Sequence, residues 1–390
     1  MLEQFGRRLR IGLVGGGMDS VIGRTHLVAM RVDGFYELVA GAMSVDPAIA
    51  RRSGAAALLD AGRIYTDYRQ MADAESRRPD GIDVVAIATP PQLHFDVAKT
   101  FLERGIDVIC EKPVTASLAQ AIDLAAVVRE HDRLFCLTHC YTGYPMVRQA
   151  RAMVAAGELG RLRLVEAELC AGDPGVSVEP ADPAQRHWRF RADSMGKGAI
   201  LGEVASHAHN IATFVTGLSI TEVAAEMSTF VECREVFDNS YVTARFSNGA
   251  RGRIWGSYVA AGNDHGLSFR VFGEKGGLTW VQEDPEVLWF KPIGRPAVRL
   301  ARGYDSLSRE AEEATRFRPG HPEGYALAFA NLYSDFARAI IARRLGHPHQ
   351  HYVSTLPGID DGIEVMALIE AAMASQQDGG TWKPVACSTP

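Results

Sequence analysis

The chain has 390 residues, 47% of them hydrophobic and 23% charged, which is ordinary for a globular protein and long enough for two domains. Its net charge of −6 gives no electrostatic case for a nucleic-acid partner. No window reaches the ~18 uninterrupted apolar residues of a membrane span, and residues 1–8 lack the apolar core of a signal peptide, so a cytoplasmic protein without a membrane partner is expected.

Residues 10–14 (RIGLV) read as a buried strand, residues 15–23 (GGGMDSVIG) as a glycine-rich loop, and residues 24–32 as a helix. Strand, glycine loop and helix are the setting of a dinucleotide fingerprint. Gly15 suits the tight turn, Gly17 the backbone approach to a pyrophosphate, and Gly23 the close packing of helix on strand. The spacing departs from G-x-G-x-x-G, because five residues separate Gly17 from Gly23. The alternative is a glycine turn with no ligand.

Residues 36–42 form the next strand. An acid near its end binds ribose hydroxyls in dinucleotide folds. Here Ser44 stands at that place and Asp46 follows two residues later. Asp46 favours NAD, while Arg51 and Arg52 beside a neutral Ser44 leave NADP open; Asp46 also suits a helix cap, with Pro47 at the first helical position.

Residues 83–89 are a buried strand, after which Thr89-Pro90 opens a helix running to about residue 104. This puts Thr89 and His94 at the ligand crevice as cofactor contacts. Residues 106–110 are a further strand, ending in Glu111-Lys112-Pro113. Pro113 stops the strand and keeps Lys112 out of helical geometry. A partly desolvated lysine there suits proton transfer, with Glu111 beside the cofactor; the plain alternative is a surface Glu-Lys pair. A helix at 117–131 and a strand at 134–140 complete the alternation, which is the signature of a doubly wound parallel sheet. Six cysteines show no disulfide spacing, and alternation along 134–140 separates His139 from Cys136 and Cys140, so no metal site is read there.

From residue 141 the pattern changes. A helix at 145–156 is followed by strands at 162–170, 220–231, 239–246, 250–258, 268–272, 277–281 and 287–290. Helices return at 323–345 and 358–376. Asn248-Gly249 marks a hairpin, and the run of strands implies a large, mostly antiparallel open sheet with one face available to a second subunit. The expected domains are therefore 1–140 and 141–390, an α/β chain throughout. In the second, a helix beginning at Glu203 puts His207 and Asn210 on the same face, where a carboxylate orients an imidazole for acid–base work; an i,i+4 surface pair is the alternative. Arg189, Arg191 and Asn210 are candidate substrate ligands, with His265 and His321 as weaker ones.

Taken together, the glycine loop, Thr89-Pro90 with His94, Glu111-Lys112-Pro113 and the segment from Glu203 to His207 resemble the Gfo/Idh/MocA family of NAD(P)-dependent oxidoreductases over essentially the whole chain. Glu-Lys-Pro is the most specific element. The resemblance implies an N-terminal Rossmann domain, a C-terminal α/β domain with an open sheet, and a homodimer or homotetramer. It implies oxidation of a ring carbinol of a sugar or cyclitol, and a catalytic set that falls on Lys112, Glu203 and His207. The longer glycine loop resembles the scyllo-inositol and L-glucose dehydrogenase branch. The family commonly has D-x-G-x-H where this chain has Glu203-Val204-Ala205-Ser206-His207. That departure keeps open the family's redox-neutral NAD-dependent glycosidases and its non-catalytic sugar-binding regulators.

Overall fold

The computed structural model describes residues 1–172 and 178–387. They group into two contact units, and the chain passes between them more than once: Met1–Gly143 with Gly324–Ile363, and Tyr144–Glu323 with Glu364–Pro390. The sequence places the helix at 323–345 in the second domain; it packs inside the first unit.

The first unit holds five parallel strands, β1 (Leu9–Gly15), β2 (Tyr36–Ala42), β3 (Val84–Ala88), β4 (Asp107–Cys110) and β5 (Phe135–Leu137), in the order β2-β1-β3-β4-β5. Every residue of β3, β4 and β5 is buried, as expected of a sheet covered on both faces. Ser20, Asp46, Asp67 and Ser117 each cap the helix that follows by accepting a hydrogen bond from its first turn. Two expectations are corrected. Residues 91–104 begin as a 3-10 turn, Pro91–Leu93, before the helix His94–Leu102. The strand at 134–140 is only Phe135–Leu137, because the His139 and Cys140 amides turn back to the carbonyls of Leu137 and Thr138 and the chain winds into a 3-10 turn, Cys140–Gly143. Alternation therefore does not govern His139 and Cys140; both are buried, His139 just before that turn and Cys140 in it.

The helix Tyr325–Arg344 lies against the helix Val21–Val32 and the Cys140–Gly143 turn. A Cβ on Gly143 would stand 2.0 Å from the Ala328 carbonyl oxygen, so only glycine allows this approach. Asn331 Nδ2 donates to the Gly143 carbonyl at 2.8 Å, and Tyr36 Oη donates to the Tyr333 carbonyl at 2.8 Å.

Asp83 joins three distant segments. Its carboxylate accepts from Arg7 Nη1 at 2.6 Å and the Arg10 amide at 2.7 Å, and it pairs with Arg344. Burial opposes its ionisation, but the hydrogen bond from Arg7 and the charge of Arg344 outweigh burial and hold the pKa below the ordinary aspartate value. A depressed carboxylate stabilises the fold above its unfolded pKa of about 3.9, and that contribution disappears as pH falls through the folded value. Asp83→Asn is expected to cost about 2 kcal/mol at neutral pH, below the full cost of a broken buried pair because both arginines are about one-third exposed. Urea denaturation checks it: the variant should also lose part of the wild-type fall in stability below about pH 4, and equal stabilities at pH 7 would refute the assignment.

The second unit holds β6 (Leu162–Cys170), β7 (Ile220–Ser228), β8 (Asn239–Phe246), β9 (Arg251–Ser257), β10 (Leu267–Gly273), β11 (Gly276–Val281), β12 (Val287–Pro292), β13 (Val298–Ala301) and β14 (Lys383–Pro384). Their order is β13-β12-β11-β10-β6-β9-β8-β7-β14, and every neighbouring pair is antiparallel except β6 with β9. The Asn248-Gly249 hairpin joins β8 to β9, with Asn248 Oδ1 accepting from the Ala250 amide at 2.8 Å. One face buries Val165, Ala167, Phe269, Val271 and Trp280. Helices Pro145–Ala155 and Ser206–Thr216 pack against strands of this sheet. The register places Leu164 opposite Phe272 and Thr279 opposite Trp289 on the other face, where Leu164, Phe272 and Trp289 are exposed. Among the described residues, no helix is long and apolar enough to cross a membrane.

Candidate active site

In the first unit the candidates collect beyond the carboxyl ends of β1, β2, β3 and β4. Strand order reverses between β1 and β3, and in open parallel sheets that is where ligands bind. Gly15 ends β1 with φ +74°, and a Cβ there would stand 2.5 Å from the Ala88 carbonyl oxygen. A Cβ on Gly23 would stand 2.1 Å from the Gly16 carbonyl oxygen, so the helix start and the loop touch backbone to backbone. The three residues added to the usual spacing, Met18, Asp19 and Ser20, form a turn: the Ser20 amide donates to the Gly17 carbonyl at 2.8 Å, and Ser20 Oγ accepts from the Gly23 amide at 3.1 Å. The Met18 amide is held by Ser53 Oγ at 3.1 Å.

This cradle fits a dinucleotide. Its backbone amides lie at a helix N-terminus, which favours a phosphate. Beside it the Thr89 Oγ1 atom is buried and has no hydrogen-bond partner in the structure, a cost that a bound ligand would relieve. Gly15, Gly17 and Gly23 would hold the pyrophosphate and Thr89 the nicotinamide end. Asp46 Oδ1 caps its helix by accepting from the Ala48 and Ile49 amides at 2.7 and 2.9 Å, which depresses its pKa. Ser44 Oγ accepts from the Asp46 amide. Asp46 is fully exposed, so its second oxygen remains open to solvent or a ribose. Gly23→Ala is expected to weaken NADH binding at least about tenfold, the 1.4 kcal/mol scale of one lost hydrogen bond to a charged group. Titration of cofactor fluorescence checks it, and wild-type affinity would remove the cradle assignment.

Two residues expected at the cofactor are engaged elsewhere. His94 is fully buried, and its ring nitrogens face the Pro113 carbonyl at 2.7 Å and the Thr89 carbonyl at 2.9 Å, so it ties the turn after β3 to the turn after β4. Burial lowers its pKa, despite both carbonyls. Glu111 is buried and accepts from Thr138 Oγ1 at 2.6 Å; His26 Nε2 lies 3.1 Å from the same Oε1 atom. Burial alone would raise the Glu111 pKa, but the hydrogen bonds from His26 and Thr138 outweigh it and the pKa is lowered. Lys112 is half-buried, its amide donates to Glu111 Oε2 at 3.2 Å, and its peptide bond to Pro113 is cis. His26, Thr138 and Tyr333 were not candidates from sequence. The signal available for His26 was its place one turn after Gly23 on the buried side of the helix.

In the second unit the expected helix start is different. Leu201–Ala205 forms a π-helical turn and the α-helix is Ser206–Thr216, so Glu203 and His207 are not an ordinary i,i+4 pair. Arg189 Nε donates to Glu203 Oε2 at 3.0 Å. The Arg189 guanidinium also lies 4.9 Å from the Trp188 ring centre. Next to Trp188, Phe190 packs edge-on against Tyr258, whose pKa is raised by burial and by the charge of Glu203. His207 and Asn210 are buried on the following helix. Arg191 instead pairs with Asp193 at 2.5 Å. His265 lies in the loop after β9, with its pKa lowered by burial, and His321 is exposed, its carbonyl accepting from Arg302 at 2.6 Å. The structure thus joins Glu111, Lys112, Thr89 and His94 in the first unit and Arg189 with Glu203 in the second.

Residues 9–139 match the model described as the oxidoreductase family with an NAD-binding Rossmann fold, and residues 147–279 match the GFO/IDH/MocA C-terminal domain. The uncharacterized oxidoreductase YfiI of Bacillus subtilis is 32% identical over 381 residues, 96% of each chain. The levoglucosan dehydrogenase of Pseudarthrobacter phenanthrenivorans is 26% identical, covering 97% of this chain and 98% of its own. A crystal structure of an inositol dehydrogenase homolog from Azotobacter vinelandii, complexed with NADH and myo-inositol, superimposes with a TM-score of 0.87 at 35% identity over 97% of each chain. The chain belongs to the Gfo/Idh/MocA family of NAD(P)-dependent oxidoreductases.

Proposed function

We propose that the chain oxidises one ring carbinol of a cyclitol or a hexose-like sugar with NAD. The observation that carries this reading is its likeness, over nearly the whole chain, to the homolog complexed with NADH and myo-inositol. The levoglucosan dehydrogenase relative points to the same class of ring polyol. Bound NAD supplies the hydride acceptor. Lys112 and His207 are the proposed proton acceptors: as the carbinol carbon gives up hydride and becomes a carbonyl, the hydroxyl proton passes to one of them. Glu203 is proposed to position the reacting hydroxyl or His207. Arg189 holds the Glu203 carboxylate in place.

The test is a screen of cyclitols, hexoses and glycosides with NAD and with NADP, following NADH absorbance and products together. NADH accumulating with a cyclitol or hexose, at higher kcat/KM for NAD, is the expected result. Release of aglycone without NADH would replace the dehydrogenase with a redox-neutral glycosidase, and turnover of neither class would overturn both. We also infer association of at least two copies through the open face of the nine-stranded sheet, because Leu164, Tyr241, Phe272, Val281 and Trp289 are exposed on it. Sedimentation at micromolar protein should show an oligomer; a monomer would end that inference.

A further inference from the structure

A buried polar chain runs through the first unit and ends beside Lys112. Tyr333, on the Tyr325–Arg344 helix, has its hydroxyl 2.6 Å from His26 Nδ1. His26, on the helix after the glycine loop, has Nε2 3.1 Å from Glu111 Oε1. Thr138, just beyond β5, donates its hydroxyl to the same oxygen at 2.6 Å. The other Glu111 oxygen accepts the Lys112 amide at 3.2 Å. In the Nε2–H tautomer of His26 every group is satisfied: the Tyr333 hydroxyl donates to Nδ1, and Nε2–H donates to the carboxylate. The Phe329 ring closes one side, edge to face with His26 at 5.1 Å. His26 is fully buried, Tyr333 and Thr138 are 1% exposed, and Glu111 is 8% exposed.

A buried carboxylate is costly unless its hydrogen bonds are complete, and apolar residues of similar volume often serve stability equally well. Glu111 is bonded to the amide of the next residue, so whatever fixes its rotamer also fixes the backbone from which the long Lys112 side chain projects.

We propose that His26 is a positioning residue: through Glu111 it fixes the strand-end backbone that aims Lys112. This rests on the reading of Lys112 as a proton-transfer group. Tyr333 fixes His26 in turn, so the helix contributed by a late part of the chain takes part in setting the catalytic lysine.

The experiment measures kcat with saturating NAD and the cyclitol or sugar found in the screen, alongside NADH affinity and thermal melting. His26→Leu is expected to lower kcat by roughly 10- to 100-fold, the cost of an ångström-scale misplacement, with NADH affinity within about threefold of wild type. His26→Gln, which retains a donor near the Nε2 position, should recover part of the loss. Glu111→Gln should lower kcat similarly, and the double variant His26→Leu/Glu111→Gln should be no slower than the slower single variant. Wild-type kcat in His26→Leu overturns the proposal. So does a kcat loss matched by loss of NADH affinity, or an additive double variant, either of which marks general structural damage. Should His26→Leu fail to fold, Tyr333→Phe removes one hydroxyl only; it is expected to lower kcat about three- to tenfold, and an unchanged kcat overturns the proposal. Lys112→Ala separates the two claims. An active Lys112→Ala enzyme ends the lysine reading itself, whereas an inactive one beside a fully active His26→Leu ends only the role given to His26.

Discussion

Replacing Lys112 by alanine is expected to lower kcat by about 10²-fold or more, the usual contribution of a positioned acid–base group, with NADH affinity within about threefold of wild type. The reasons lie in its surroundings. Lys112 follows β4 at the carboxyl edge of the parallel sheet, the edge on which the glycine cradle opens. It is half-buried, and its amide is fixed by Glu111. The cradle is built from the backbone of the glycine loop, held by Ser20 and Ser53, so cofactor binding should survive. Steady-state rates with saturating NAD, together with NADH titration, separate the two quantities. Near-normal turnover in the alanine variant would remove Lys112 from the reaction and leave His207 as the proposed proton acceptor.

The second large effect is expected at Glu203. Glu203→Gln keeps the volume and removes the charge. It should lower kcat by roughly 10- to 100-fold, and Glu203→Asp should keep a measurable part. The Glu203 side chain is only 10% exposed, and its Oε2 is held by Arg189 at 3.0 Å. The glutamine would leave the Arg189 guanidinium without its counter-charge and offer a neutral amide to the reacting hydroxyl. Aspartate keeps the charge but shortens the reach by one methylene, so it should hold Arg189 less well. A fully active Gln variant would reduce Glu203 to a partner for Arg189 with no part in turnover. The effect should also be coupled to Arg189: in Arg189→Met the further loss on changing Glu203 should be smaller, which a double-mutant cycle in kcat would measure.

The elements with a strong local signal were legible in the sequence. The five strands of the first unit follow from apolar runs, and Asp46-Pro47 and Ser117 mark helix starts that the structure caps as expected. The glycine loop and Glu-Lys-Pro were legible because backbone geometry restricts which residues can stand there. What was missed depends on distance along the chain. His26 and Tyr333 are 307 residues apart, and neither carries a local mark of the other. Arg189 and Glu203 meet across 14 residues and a π-helical turn, where helical spacing gives no register. The sequence puts Glu111 at the cofactor from its place at a strand end, and His94 from its place in the first turn of the helix after β3. Their ring and carboxylate are consumed by neighbours in the fold, which only three-dimensional contacts disclose. β13 has no fully buried residue, so it left no apolar run to read.

The return of residues 324–363 to the first unit bears on how the protein is made. When residue 143 leaves the ribosome, every strand of the parallel sheet has been synthesised, but the helix carrying Phe329 and Tyr333 has not. Until it arrives, His26 lacks its tyrosine, and the buried side of its helix faces water. At ordinary synthesis rates this interval lasts roughly 10–40 s, long compared with the folding of a small domain. The nascent sheet must spend it incomplete, with apolar surface open to chaperones or to other chains. For the same reason the nucleotide-binding half cannot be excised as a piece ending at residue 143. A fragment of that length would expose the groove left by its missing helix, and recovery would require the 324–363 segment supplied on the same chain or in trans.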